Sequence, residues 1–191
     1  MIVSPKGSHN RLLVPPPALL NVSRVSSLKI LGVTLQDNLT MADHVSTVVS
    51  KGAQSLFALK TIKNHGLPPA ALHAVCRALL VSRLTYALPA WSGFTSEADM
   101  HRLQSVLDKA RRWGLTGGKT LPDLIELSSQ ADTTLFNSVI SNSFHVLHQY
   151  LPPSNIHSHN LRRRPHNFSL PKSSTLRARN FLHRMLYKDA Y

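Results

Sequence analysis

Two clusters of cations hold the side chains best suited to chemistry in this chain. Arg162, Arg163 and Arg164 form an unbroken guanidinium run ending at Pro165, and Lys109, Arg111 and Arg112 crowd the stretch before Trp113. A guanidinium presents a planar fork of donors that matches phosphate oxygens, and the triplet has few acids nearby to neutralise it. Contact with the phosphates of a nucleic acid is its natural outlet. A solvated charge run or a localisation signal fits the triplet as well, and Trp113 could serve simply to cap an apolar core.

Catalysis finds less support. The nine carboxylates fall at Asp37, Asp43, Glu97, Asp99, Asp108, Asp123, Glu126, Asp132 and Asp189, and no two are adjacent. The closest pair, Glu97 and Asp99, opens a helix, where negative charge offsets the helix dipole. His145 and His148 stand three apart on a helix and could face one ion, but no acid or cysteine is at ligand spacing. They read as neutral surface histidines. His157, His159 and His166 lie among arginines and read as further polyanion contacts. Cys76 falls on an apolar helical stripe, the setting of a buried, inert thiol. No nucleophile elbow, Gly-x-Gly-x-x-Gly or phosphate-loop pattern is present. The expectation is a protein with no catalytic residue, no metal or other cofactor and no small-molecule substrate.

Composition points the same way. The 191 residues carry 22 Lys and Arg against 9 Asp and Glu, a formal charge of +13, which favours a polyanionic partner. Nucleic acid comes first and an anionic membrane surface second. A single cysteine excludes a disulfide framework and fits a reducing compartment. The N-terminus lacks the charged start and apolar core of a secretory signal. The best apolar run, Ala78 to Trp91, is interrupted by Arg83 and Pro89 and falls short of spanning length. An intracellular protein of nucleus or cytoplasm, neither secreted nor membrane-bound, is expected.

The elements that must position these residues are mainly helical. Val22 to Leu35 reads as a strand pair or bent strand, with Gly32 marking a sharp bend or a close approach. Asp37-Asn38 supplies a turn, and Thr40 is placed to cap the next helix. From Met41 to Lys63 apolar residues recur at Val45, Val48, Val49, Leu56, Leu59 and Ile62, with Gly52 and Ala53 on the same stripe. Asn64-His65-Gly66 stops that helix and Pro68-Pro69 opens a second, which buries Leu72, Val75, Cys76, Leu79, Leu80 and Leu84. A third begins at Ser96, paired with Asp99 in a capping-box pattern, and buries Met100, Leu103, Leu107 and Ala110. Shorter helices follow at about 121–129 and 132–150. Residues 152–191 hold eight Lys or Arg and one acid, and end in a helix capped by Asn180. The fold class is therefore mainly α: a short N-terminal β element over 1–40, a small helical bundle over 41–150 and a basic, mostly irregular tail over 151–191.

This order of segments resembles the C-terminal part of reverse transcriptases from non-LTR (LINE-type, jockey-like) retrotransposons. Ile30-Leu31-Gly32-Val33 with Leu35 is similar to the primer-grip turn, which assigns Leu31, Gly32 and Val33 a primer-grip-like role. His44-Val45 and the helix after it resemble the first helix of the thumb, closing at His65-Gly66-Leu67-Pro68. Arg83-Leu84-Thr85-Tyr86 through Trp91, Leu103-Gln104 with the cluster at Lys109 to Arg112, and the C-terminal segments His145 to His148, Leu161 to Asn167 and Asn180 to Asp189 follow in the family's order. The resemblance implies a palm end over 1–40, a thumb-like bundle over 41–150 and contact with the backbone of RNA, DNA or an RNA–DNA duplex. Family polymerases hold two magnesium ions on an aromatic-x-Asp-Asp turn and a separate Asp. That turn is absent here and would lie before Met1, so a fragment of an RNA-directed DNA polymerase without its catalytic acids is expected, as from a 5′-truncated element. The alternatives are a non-catalytic basic helical interaction module and a non-functional remnant.

Overall fold

A computed structural model describes residue 17 and residues 20–154 and 166–188. Arg162, Arg163, Arg164, His157, His159 and Asp189 lie outside the described residues. The chain forms a mainly helical fold behind an N-terminal β-hairpin. Contacts divide it into two compact units, one taking residues up to 87 with 94–124, the other taking 88–93 with residues from 125 on. The divisions expected at 40 and 150 fall inside these units.

In the first unit β1 (Ser27–Ile30) pairs antiparallel with β2 (Val33–Gln36), Ile30 opposite Val33. The two-residue loop between them is Leu31-Gly32, with φ of 46° and 88°. Positive φ at both positions marks a primed turn, whose twist matches that of the strands it joins. The bend expected at Gly32 is this hairpin turn, and what approaches it is a side chain: a Cβ on Gly32 would lie 3.3 Å from Tyr86 Cε1. The Tyr86 hydroxyl donates to Leu31 O at 2.8 Å, securing a leucine in backbone space that leucine disfavours.

Helix α1 (Ala42–Asn64) buries Val45, Val48, Leu56 and Leu59 along its predicted stripe. Gly52 is buried, and a Cβ there would meet Val106 at 3.0 Å, so its hydrogen lets α1 and α5 (Glu97–Arg112) approach closely. The N-cap is Met41 rather than Thr40. The Thr40 hydroxyl turns back to Gln36 Oε1 (2.6 Å) and Asn38 Oδ1 (2.7 Å), closing the turn instead of the helix. At α5 the Ser96 cap forms as expected, accepting the Asp99 N–H at 3.2 Å.

The second predicted helix is three pieces in line: α2 (Pro69–Cys76), a π-helical turn (Arg77–Val81) and α3 (Ser82–Thr85). A π turn inserts a residue and rotates the helix beyond it. Leu79, expected in the core, is 40% exposed, while Leu72, Cys76, Leu80 and Leu84 are buried. Burial pushes the Cys76 thiol above its ordinary value. The helical run Pro69–Phe94 is long and apolar enough to span a membrane by length and composition, which the residue pattern alone does not suggest. Ala87, at φ 51°, interrupts it, as does the change from α3 to α4 (Leu88–Trp91).

In the second unit α6 (Leu124–Ser141) is one helix where two are expected from the sequence. It ends at Asn142, whose Oδ1 accepts the Phe144 N–H in an Asx turn, so 142–147 is turn rather than helix. Phe136 of α6 shares a core with Phe181, Met185 and Leu186 of α7 (Phe181–Tyr187). Asn180 caps α7 through Leu182 N–H at 3.0 Å, as its sequence predicts. Arg184 binds Asp132, Ser92 Oγ and Pro89 O within this unit. His166, expected among polyanion contacts, is buried: its ring packs edge-on to Phe136 and its Nε2 meets Leu186 O at 2.9 Å.

Candidate nucleic-acid interface

Three elements of the first unit converge on an open groove of about 590 Å³. The hairpin contributes Lys29, Thr34 and the backbone at Gly32. Helix α1 contributes His44, Thr47, Val48 and Lys51, which the helical repeat places on one face. The π turn and α3 contribute Leu79, Ser82 and Arg83, followed by Tyr86. Lys29, Lys51 and Arg83 supply three cations, and no carboxylate is among the lining residues.

The arginine and the two lysines are held differently. Arg83 is fixed, donating to Lys51 O at 3.0 Å and Ser55 Oγ at 2.7 Å, so its guanidinium is oriented before any ligand arrives. Lys29 and Lys51 are exposed and, among the described residues, enter no ion pair. His44 is buried at the hairpin–helix junction, where its Nδ1 accepts the Thr34 N–H at 3.4 Å. Burial first, and then the Lys29 charge, push its imidazole below the ordinary value, so it is uncharged at neutral pH and acts as a joint between β2 and α1. Lysines on a pre-built wall can bind phosphate oxygens through charge without reading bases, while the Thr47 and Ser82 hydroxyls donate to Asp43 O and Ala78 O of the backbone.

Of the residues singled out from sequence, Gly32 lines this groove, Leu31 shares its turn and is exposed, and Val33 is buried. Lys109 and Arg112 are exposed on α5. Arg111 is not available in the same way. Its guanidinium binds Asp108 Oδ1 at 2.9 Å, Asp123 Oδ1 at 2.6 Å and Leu121 O at 2.8 Å. Hydrogen bonding to Arg111 holds the Asp123 carboxyl below its usual range. Gln104 joins the same network, donating to Asp123 and accepting the Leu124 N–H. Arg111 thus ties the end of α5 to the loop before α6.

His145 and His148 have their Nδ1 atoms turned to the backbone, one accepting Leu147 N–H and the other meeting Val139 O. The magnesium pair of the family that the sequence resembles does not fit these residues. Asp99 binds Arg102, Asp108 and Asp123 share Arg111, and Asp132 binds Arg184. Among the described residues no three His, Cys, Asp or Glu gather at metal-holding distance.

The groove cations do not stand out in the sequence as a site. Lys29, Lys51 and Arg83 are 22 to 54 positions apart and meet only through the fold. The one local signal is polar His44, Thr47 and Lys51 on a single face of an otherwise apolar-striped helix. No known protein family, curated protein or solved structure matches the chain.

Proposed function

We propose that this chain is a non-catalytic module that grips the sugar-phosphate backbone of RNA, DNA or an RNA–DNA duplex, corresponding to the palm end and thumb of a LINE-type reverse transcriptase. The observation that carries the reading is the groove between hairpin and helices, with Lys29, Lys51 and Arg83 and no lining carboxylate. The overall charge of +13 supports it, because each phosphate contact releases counterions and strengthens binding. The order of hairpin, long helix, second helix and third helix supports the family correspondence.

Fluorescence anisotropy with labelled duplexes of unrelated sequence tests this. Affinity should fall steeply with salt and vary little between sequences. Lys29→Ala with Lys51→Ala should flatten the salt slope by about two units, one for each phosphate that loses its lysine. Arg162→Ala, Arg163→Ala and Arg164→Ala together should flatten it by roughly two to three. Affinity independent of salt and unchanged in both variants would discard the reading in favour of a retroelement remnant.

A further inference from the structure

We propose that Trp113, with Lys60 and Arg112, forms a stacking platform for an unpaired base of a single-stranded polynucleotide, on a surface separate from the groove. The two tryptophans of the chain differ sharply: Trp91 is fully buried, while Trp113 is 42% exposed. Lys60 Nζ stands 5.4 Å from the centroid of the Trp113 ring. Lys63 Nζ donates to Trp113 O at 2.7 Å, and the Trp113 N–H reaches Lys109 O at 3.0 Å. The backbone of Trp113 is therefore pinned between α1 and α5. Gly114 follows at φ 62°, left-handed backbone that glycine adopts without strain. A ring presented from a fixed backbone loses little freedom when a ligand covers it.

An exposed indole with the Lys60 ammonium over its ring and Arg112 next to it in the chain suits one ligand chemistry above others. A base stacks on the indole by displacing the exposed Lys60 ammonium from over the ring, and the displaced Lys60 and the exposed Arg112 meet neighbouring phosphates. Asp108 and Asp123 are occupied by Arg111, so the acids nearest in sequence are already engaged. A cationic ligand would be repelled, and a polyanion without bases would answer the charges but leave the ring uncovered. Lys60 lies nine residues beyond Lys51, two and a half turns of α1, which places it on the opposite side of the helix and about 13 Å further along. Failure of one surface therefore does not entail failure of the other.

Tryptophan fluorescence of the full chain tests the platform, with dT15, rU15 and inorganic polyphosphate of matched charge as probes. Both oligonucleotides should quench Trp113 and shield it from iodide, and polyphosphate should bind without doing either. Trp113→Ala should weaken dT15 and rU15 by about tenfold while leaving polyphosphate within twofold. Trp113→Phe should retain most of the affinity, and the Lys29→Ala, Lys51→Ala chain should still show the quenching. Tighter binding of rU15 than dT15 identifies RNA as the source of the base, and the reverse identifies DNA. Equal quenching by polyphosphate, or no quenching by either oligonucleotide, overturns the proposal on the unmutated protein alone. So does unchanged oligonucleotide affinity in Trp113→Ala.

Discussion

The groove beside the hairpin and the C-terminal end of α5 are both rich in cations, yet they use them in opposite ways. In the groove Lys29 and Lys51 meet no carboxylate, and Arg83 is oriented by a backbone carbonyl and a serine hydroxyl, so its charge stays uncompensated by any lining acid. At α5 Arg111 binds two carboxylates and a carbonyl, closing a loop of its own unit. Whether a cation is free for a partner thus depends on where the fold brings the acids. Density of Lys and Arg along the chain does not decide it. With only nine acids against 22 cations, the acids can occupy only a minority of the Lys and Arg side chains.

A further cation, Arg184 of the second unit, is committed to the fold more deeply than Arg111 and carries the largest expected effect. Arg184 and Asp132 are mostly shielded from solvent, and Arg184→Met would leave the Asp132 carboxylate without its guanidinium partner. Unpairing a buried charge should destabilise the second unit by about 3 kcal/mol, read as a lower urea midpoint. At the hairpin turn, Gly32→Ala forces a Cβ into positive φ and against Tyr86, and should cost about 1–2 kcal/mol. Because the turn borders the groove, the same variant should also weaken duplex binding. Arg111→Ala should lower the urea midpoint only slightly, since its partners Asp108 and Asp123 are exposed and screened. Its duplex affinity should stay within about twofold, which is the sharpest contrast with the groove lysines.

The smallest effect is one of pH. Burial raises the Asp132 carboxyl above the ordinary value of 3.8, outweighing the charges of Arg184 and Lys188. The folded state then holds this proton more tightly than the unfolded state. Its ionisation costs stability as pH rises from 3.8 through the raised folded value, and below 3.8 the cost disappears. Asp132→Asn cannot ionise, so relative to wild type it should gain stability as pH climbs through that window. Urea unfolding at a series of pH values reads the trend, and a relative gain on lowering pH would refute it.

Much of the fold is legible in the sequence because its signals are local. The apolar stripe of α1, the Ser96 and Asn180 caps and the Gly66 stop each depend on residues within a turn or two. Thr40 has the residue type of a cap but does not act as one, because its hydroxyl finds two acceptors behind it in Gln36 and Asn38. Leu79 leaves the core because a π turn shifts the helical phase without leaving a mark in the apolar pattern. The site is less legible than the fold. Gly32 announces a bend, but nothing local announces that Lys29 and Arg83 face the same groove, or that Asp123 reaches Arg111 across 12 positions. His166 sits among arginines in the chain and among phenylalanines in the fold.

If the groove lysines are free for phosphates while Arg111 is committed to the fold, the two sets of cations must separate in one binding experiment. Salt titrations of an RNA–DNA duplex against the Lys29→Ala, Lys51→Ala chain and the Arg111→Ala chain, run side by side, make that separation visible. The salt slope should fall by about two units in the first and by less than about half a unit in the second. Equal flattening in both chains, or flattening in Arg111→Ala alone, would refute the division of roles between groove and α5.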